Sequence, residues 1–329
     1  MTSNVIGILN AAAWLPTATR DIANIFASEG ITLTAEIREQ LGVEQVHCFE
    51  GDSPTEMAVA AAREVLEEAR LKPTELQAII DFSTMPQRYV EPAWSMSNEL
   101  QAELGAKSAF TLGYSGGGMS NLHVALKFAI GLIKGNEDVD TILLVGADRA
   151  IPGNRVISAP DPVSVIGDGA SALIVTCRGP EDAIIGTHAQ TNGANHDILN
   201  IPGGGIKHPT ALDRYRLTID TEKFAAVNAP ALARQAGENL MRELNGSGGE
   251  IDHHIGANFS RSDVMAFQPD GGNASGIALD TLSRCGHMHA NDLVFNYLAL
   301  KQAGVEAGAR VLLASHGLGF TAGATLLET

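Results

Sequence analysis

Three groups of residues in this sequence carry side chains able to move protons or accept a transferred group. Ser115 sits in the glycine-rich run Gly113-Tyr114-Ser115-Gly116-Gly117-Gly118-Met119, just ahead of a long helical pattern. A serine hydroxyl is hardly ionised at neutral pH, so as a nucleophile it needs a base within hydrogen-bond reach. The flanking glycines give such a turn φ freedom and leave amides, Gly116 among them, as oxyanion donors. The same serine serves equally as a helix N-cap, a very common use. The second group is Gly286-His287-Met288-His289, and the third is His253-His254. Neutral imidazole can donate or accept, and can take the proton of a serine hydroxyl. A metal site from His254, His287 and His289 lacks a carboxylate or cysteine to complete it, so no metal is expected.

The elements that must position these residues occur twice. Thr55–Arg70 has apolar residues at helical spacing, followed by a Lys-Pro turn and the apolar strand Leu76–Phe82. Ala229–Leu244 repeats the pattern, followed by a Gly-Ser-Gly-Gly turn and the strand Ile251–Phe259. Both strands run into Ser-rich loops, Ser83-Thr84 and Ser260-Arg261-Ser262. The first half continues with a short helix (Asn98–Leu104), a strand (Ser108–Leu112), the glycine turn and a long helix (Ser120–Lys134). Its counterpart is the helix Gly276–Ser283, then Cys285–Met288, then the helix Ala290–Ala303. Each half closes on a buried strand, from Thr141 or Arg310, and a Gly-rich strand, from Gly167 or Gly319. Helices alternating with continuous apolar strands indicate α/β layers with covered sheets. The expected division is residues 1–178, bearing the serine turn, and 179–329, bearing the histidines. By the repeat, Gly286–His289 is the counterpart of the Ser115 turn, so the two face one another across a shared crevice. Ser115 and His287 are the expected dyad.

Composition excludes several classes. The chain has 329 residues, 45% apolar and 18% charged, ordinary for a globular protein. A net charge of -16 argues against nucleic-acid and anionic-membrane partners. No apolar run is long enough for a membrane helix, and Met1–Ala13 has no basic region of a signal peptide. Cys48, Cys177 and Cys285 are too few and too scattered for a disulfide framework, so reduced thiols and a cytoplasmic location are expected.

Several segments in order carry a family likeness. They are Ile6-Gly7 to Leu15-Pro16, Val90-Glu91-Pro92-Ala93-Trp94-Ser95-Met96 to Leu104-Gly105, and Gly113–Gly118. Ile201–Pro209, Gly167-Asp168-Gly169-Ala170 and Gly317–Gly323 follow the same pattern. Together they resemble the thiolase superfamily, and within it the ketoacyl-ACP synthase III branch, over nearly the whole chain. The resemblance implies a five-layered αβαβα fold of duplicated halves and a homodimer. It also implies acyl groups delivered as thioesters on acyl carrier protein or coenzyme A, with no cofactor.

The family places a cysteine nucleophile at a helix N-terminus, where the dipole lowers its pKa. Here no cysteine lies in the turn. Aligning the following helix by Leu122 and Ala125 puts Ser115 there, while a gapless match to the chalcone-synthase relatives puts Tyr114 there. The family's histidine slot falls on Ile255 if Asn258 is matched to its asparagine, or on His254 if Gly256-Ala257 is matched to the chalcone-synthase glycine pair. His254 is then a second base, with Asn258 a pocket residue; alternatively both His253 and His254 are strand-face residues without chemistry. His287 replaces the family's asparagine. His316, Leu318 and Gly319 fall on the loop that supplies an oxyanion amide, and His289 joins them as a pocket residue. The arginines that grip coenzyme A are absent from Gly42–His47, which favours a carrier-protein donor or no donor.

With all three positions changed, cysteine-dependent decarboxylative condensation is not expected. The expected function is acyl transfer through Ser115 in polyketide-like, fatty-acid-like or other secondary metabolism. The alternatives are a degenerate partner subunit, forming a heterodimer with an active homologue, and a thioester hydrolase.

Overall fold

The computed structural model describes residues 5–88, 94–267, 273–317 and 321–329. Among these, nine strands form one sheet. They are β1 (Gly7–Trp14), β2 (Ala78–Asp81), β3 (Phe110–Gly113), β4 (Thr141–Asp148) and β5 (Gly169–Thr176) in the first half. The second half supplies β6 (Asp182–Thr191), β7 (His253–Ile255), β8 (Arg310–His316) and β9 (Thr321–Glu328). Outward from the centre the first half runs β1-β5-β4-β2-β3 and the second β6-β9-β8-β7. The order is the same, save that the second half has no counterpart of β3 among the described residues. The halves meet through β1 and β6, paired only at Gly7 with Ala183 and Ile8 with Asp182.

Three layers of helix enclose the two half-sheets. On the outer face of the first, α1 (Pro54–Glu68) and α2 (Met96–Leu104) bury Met57, Val65, Met96 and Leu100 against Leu143 and Ile174. The start of α1 is fixed by a capping box, in which Ser53 and Glu56 satisfy one another's backbone amides and Pro54 occupies the first turn. On the outer face of the second, α4 (Ala229–Glu243) buries Ala236 and Leu240 against Leu312 and Leu326. Between the half-sheets lie α3 (Asn121–Gly135) and α7 (Asn291–Ala303). Their Leu126 and Leu293 share one core with Ile80 and Leu144 of the first half and with Leu313 and Leu327 of the second. This is the αβαβα stack of the thiolase fold.

The structure differs from the sequence pattern in three places. The strand expected over 251–259 is limited to β7. The Ser-rich stretch after it opens a helix, α5 (Arg261–Phe267), because Ser260 Oγ accepts the Asp263 amide at 3.2 Å. Cys285–Met288 follows helix α6 (Asn273–Cys285) and forms a single parallel bridge, Ile166 with His287. The segment 90–93, part of the family likeness, and Leu318 and Gly319 lie outside the described residues.

Candidate active site

His287 is placed by contact between the halves. Its amide donates to Val165 O at 2.8 Å, and its carbonyl accepts from the Gly167 amide at 3.0 Å. That approach requires glycine on both sides. A Cβ on Gly167 would sit 1.9 Å from the Cys285 carbonyl oxygen. Gly286 has φ +68°, and its Cβ would meet Val165 O at 2.7 Å. The Gly167-Asp168-Gly169-Ala170 segment thus holds the histidine segment in place. Asp168 ties the surroundings together, taking Phe49 N, Ala150 N and both Arg155 amino groups on its two oxygens.

The ring of His287 is fully buried, and its Nδ1 is 2.6 Å from Asp292 Oδ2. Asp292 is itself anchored: Oδ2 also accepts the Asn258 amide at 2.8 Å, and Oδ1 accepts the Met288 amide at 2.7 Å. Asn258 exchanges side-chain hydrogen bonds with Asn296, so it braces the carboxylate rather than facing a pocket. With its proton on Nδ1, His287 presents Nε2 as a bare acceptor, and that atom has no hydrogen-bond partner among the described residues. An imidazole oriented by a carboxylate, with its other nitrogen free, is the arrangement of a general base.

A cluster of rings surrounds it. His289 lies 4.7 Å from His287 between centroids, and Phe259 stands edge-on to His287 at 5.4 Å and to His316 at 6.0 Å. His289 is fully buried with neither ring nitrogen partnered among the described residues, and its backbone has φ +55°. Burial, with His287 adding to it, holds its pKa well below the usual histidine range. A non-glycine residue in the left-handed region costs about 1–3 kcal/mol, and each orphaned buried nitrogen about 1–3 kcal/mol more. Burial also lowers the pKa of His316, with Asp263 opposing and His287 reinforcing the shift.

The glycine turn is packed against the second half. Gly317 packs on it so tightly that a Cβ would come 1.6 Å from Gly117 O. Ser120 Oγ reaches Thr321 O at 2.9 Å, tying the turn to β9. Asn121 takes the Gly117 amide at 2.7 Å and donates to Ser83 O at 3.0 Å, so the Gly117 amide is not free as an oxyanion donor. Gly116 is exposed on the turn. Ser115 is also exposed, on the wall of a cavity of about 640 Å³ shared with Thr84, Met85, Tyr114, Leu199 and Tyr215. Burial raises the pKa of Tyr114.

The histidines expected beside Ser115 do not share that wall. Among the described residues no hydrogen bond joins Ser115 to His287, and none of His254, His287, His289 and His316 lines this cavity. His254 is separated from His287 by the sheet. It stands edge-on to Phe267, 6.4 Å between ring centroids, in an outer cavity with Gly237, Met241 and Leu312. The reason is strand alternation: Ile255 is packed into the central core with Leu293 and Val294, so its neighbour faces out. His254 therefore does not supply a second imidazole to the His287 cluster. No group of three metal-ligating residues occurs among the described residues.

No protein-family model matches the chain. The beta-ketoacyl-[acyl-carrier-protein] synthase III of Ehrlichia canis is 30% identical over 206 residues, spanning 60% of this chain and 60% of that relative. The synthase of the same name from Paramagnetospirillum magneticum is 26% identical over 338 residues, spanning 98% of each. The chain is thus similar to ketoacyl-ACP synthase III over nearly its whole length. The crystal structure of 3-oxoacyl-(acyl carrier protein) synthase III from Pseudomonas aeruginosa PAO1 matches its fold, with TM-score 0.78, 19% identity and 98% of both chains covered. Within this site, the residues that the sequence pattern did not bring forward are Asp292 and Phe259. Asp292 had one signal: it is a carboxylate at the head of a helix whose following residues, Leu293-Val294-Phe295, are all apolar. Such a helix is buried all round, and a charge in it needs partners. Among the described residues no helix is long and apolar enough to cross a membrane.

Proposed function

We propose that the chain is an acyltransferase of the synthase III type, moving an acyl group from a thioester on carrier protein or coenzyme A to an acceptor. In this reading the acyl chain occupies the cavity at the glycine turn, and Ser115 on its wall accepts the acyl group, its hydroxyl proton passing to the departing thiolate. His287, oriented by Asp292, takes the acceptor's proton and returns it to the leaving group. The single observation that carries the reading is the buried His287–Asp292 pair, with Nδ1 engaged at 2.6 Å and Nε2 unpartnered. The turn holds no cysteine, so cysteine-dependent condensation has no part in it. A homodimer, a cytoplasmic setting and a place in fatty-acid-like or polyketide-like metabolism belong to the same proposal.

The full burial of His287, away from the cavity wall, favours a second reading: a non-catalytic partner subunit of an active homologue. Incubation with acyl-thioesters, followed by intact mass and product analysis, separates the two. The proposal expects an acyl adduct that disappears in Ser115→Ala and turnover that is lost in His287→Asn. Turnover that survives Ser115→Ala but not His287→Asn overturns the serine step and keeps the base. An adduct that survives Ser115→Ala and vanishes in Tyr114→Phe moves the acyl site to Tyr114. Acyl release to water alone makes the protein a thioester hydrolase. No adduct and no turnover with any donor, with co-purification alongside a cysteine-bearing homologue, establishes the partner-subunit reading.

A further inference from the structure

Seven buried side-chain polar atoms lack a hydrogen-bond partner among the described residues, and three of them belong to two adjacent rings. They are His287 Nε2, His289 Nδ1 and His289 Nε2, on fully buried imidazoles whose centroids are 4.7 Å apart with an interplanar angle of 56°. Three orphaned nitrogens on two neighbouring rings, one of them on a residue held at φ +55°, call for a polar partner beyond the described residues. The chemistry of that group follows from what surrounds it. A metal ion finds no set of three ligands among the described residues. Both oxygens of Asp292 are taken, by Met288 N on one side and by Asn258 N and His287 on the other. An ammonium group therefore lacks a free carboxylate and enough acceptors for its three donors. An anion meets the bare lone pair of His287 Nε2 and, on the other ring, an imidazole that burial keeps uncharged. A hydroxyl has one donor and two lone pairs, which complement one bare nitrogen and one ring N–H. Phe259, edge-on to His287 at 5.4 Å, leaves an apolar neighbour for the carbon bearing it.

We propose that His287 and His289 form a two-imidazole seat for one neutral hydroxyl, so that the acceptor of the acyl group is an alcohol. The proposal rests on the acyl-transfer reading and names its substrate class. The hydroxyl donates to His287 Nε2 while its oxygen accepts from the ring N–H of His289. As the new O–C bond to the acyl carbon forms, the O–H bond breaks and the proton passes to His287 Nε2. The acyl carbon's bond to the thioester sulfur, or to the Ser115 oxygen, breaks. The departing thiolate or alkoxide takes the proton from His287, leaving ester, the free thiol or the Ser115 hydroxyl respectively, and the starting imidazole. Water offers the same hydroxyl chemistry, so product identity must separate the two sources.

The test has a binding arm and a product arm. In the first, protein labelled with ¹⁵N at histidine is titrated with hexan-1-ol, hexylamine and hexanoate at neutral pH, and the ring nitrogens are followed by NMR. Hexan-1-ol alone is expected to give a saturable shift of His287 Nε2 and of a His289 nitrogen. His289→Gly keeps the left-handed backbone without strain and should weaken that binding by about threefold to tenfold, the loss of one hydrogen bond. Equal binding of hexanoate, unchanged binding in His289→Gly, or no saturable shift overturns the seat. In the second arm, an octanoyl thioester is supplied with hexan-1-ol. Hexyl octanoate as product supports the alcohol acceptor, whereas octanoate alone assigns the seat to water. Saturable hexan-1-ol binding with no turnover overturns acyl transfer and leaves the seat standing. Turnover to an amine acceptor, unaffected by His289→Gly, does the reverse.

Discussion

Replacing Asp292 with asparagine tests the organisation of the candidate active site most sharply, because three donors converge on that carboxylate. Met288 N is 2.7 Å from Oδ1, while Asn258 N and His287 Nδ1 are 2.8 and 2.6 Å from Oδ2. An amide has one oxygen to offer, so one of the two positions becomes an NH₂ facing a donor. If the oxygen keeps the Oδ2 position, the Met288 amide is orphaned. If it takes the Oδ1 position, the Asn258 amide is orphaned, and His287 Nδ1 can bond the new NH₂ only by giving up its proton. The proton then moves to Nε2, and the ring ceases to be a base. In either case one buried N–H is left unsatisfied, at about 1–3 kcal/mol, and the remaining bonds lose their charge assistance, about 1 kcal/mol more. Relief from burying a charge works the other way, but in the native site three donors already offset that cost. The expected net loss is about 2–4 kcal/mol in urea unfolding near pH 7. Turnover should fall by about 10²–10⁴ where the proton has moved to Nε2, a change that ring ¹⁵N shifts report directly. Wild-type stability together with a retained Nδ1 proton in Asp292→Asn refutes the argument, since the carboxylate would then be neither anchor nor orienter.

Three further outcomes follow from the frame. Gly317→Ala puts a Cβ 1.6 Å from Gly117 O, a clash with backbone that cannot rotate away, and should cost about 3 kcal/mol or more; a melting temperature equal to wild type removes the close approach. Arg155→Ala strands the fully buried Asp168, whose Oδ2 lies 2.7 Å from Arg155 Nη2, and should destabilise the fold by about 3–5 kcal/mol in chemical denaturation; a loss below about 1 kcal/mol shows the pair is dispensable. His123 is buried with Nδ1 2.8 Å from Thr325 Oγ1 and Nε2 unpartnered, and burial lowers its pKa from 6.5 to about 3. A depressed folded-state pKa gives stability that is present above the unfolded value and is lost as pH falls towards the folded one. Between pH 6.5 and 5 that loss is about 2 kcal/mol, and it should be absent from His123→Asn; equal acid sensitivity of the two proteins assigns the effect elsewhere.

The layers were legible because burial writes period and apolarity into the chain. The helices over 54–68 and 229–243, and the continuous apolar strands from Thr141 and Arg310, have no reading other than covered α/β layers. The glycines at 167 and 286 were visible as motif residues. Their reason was not visible, because each answers to a carbonyl oxygen distant in sequence, which a Cβ would approach to 1.9 and 2.7 Å respectively. His254 could have been placed by alternation alone: Ile255 is the apolar residue and takes the core face, which sends His254 outward. Asp292 was hidden by its ordinary setting, since an acidic residue in the first turn of a helix is usually exposed and answers the helix dipole. Phe259, and the bracing role of Asn258, were hidden because their partners, His287 and Asp292, lie about thirty residues downstream, and only the folded crossing brings them together.

The physical dependence of these groups on one another bears on whether the changed positions represent loss or replacement of chemistry. A carboxylate at 0% exposure is tolerated only where donors converge, and the three that meet Asp292 come from two separate segments, the end of β7 and the turn after α6. Without His287 two backbone amides would hold a buried charge; without Asp292 the His287 ring would have both nitrogens unpartnered, as His289 has. Removing either residue is costly while the other remains. Erosion of a site under no constraint lets buried polar groups drift to apolar ones, because every orphaned nitrogen is a standing cost. Here three buried imidazole nitrogens without a partner among the described residues, and one left-handed histidine, accompany the His287–Asp292 pair. Strain and unsatisfied polarity kept together where His287 meets Val165 and Gly167 favour the acyl-transfer proposal over the partner-subunit one.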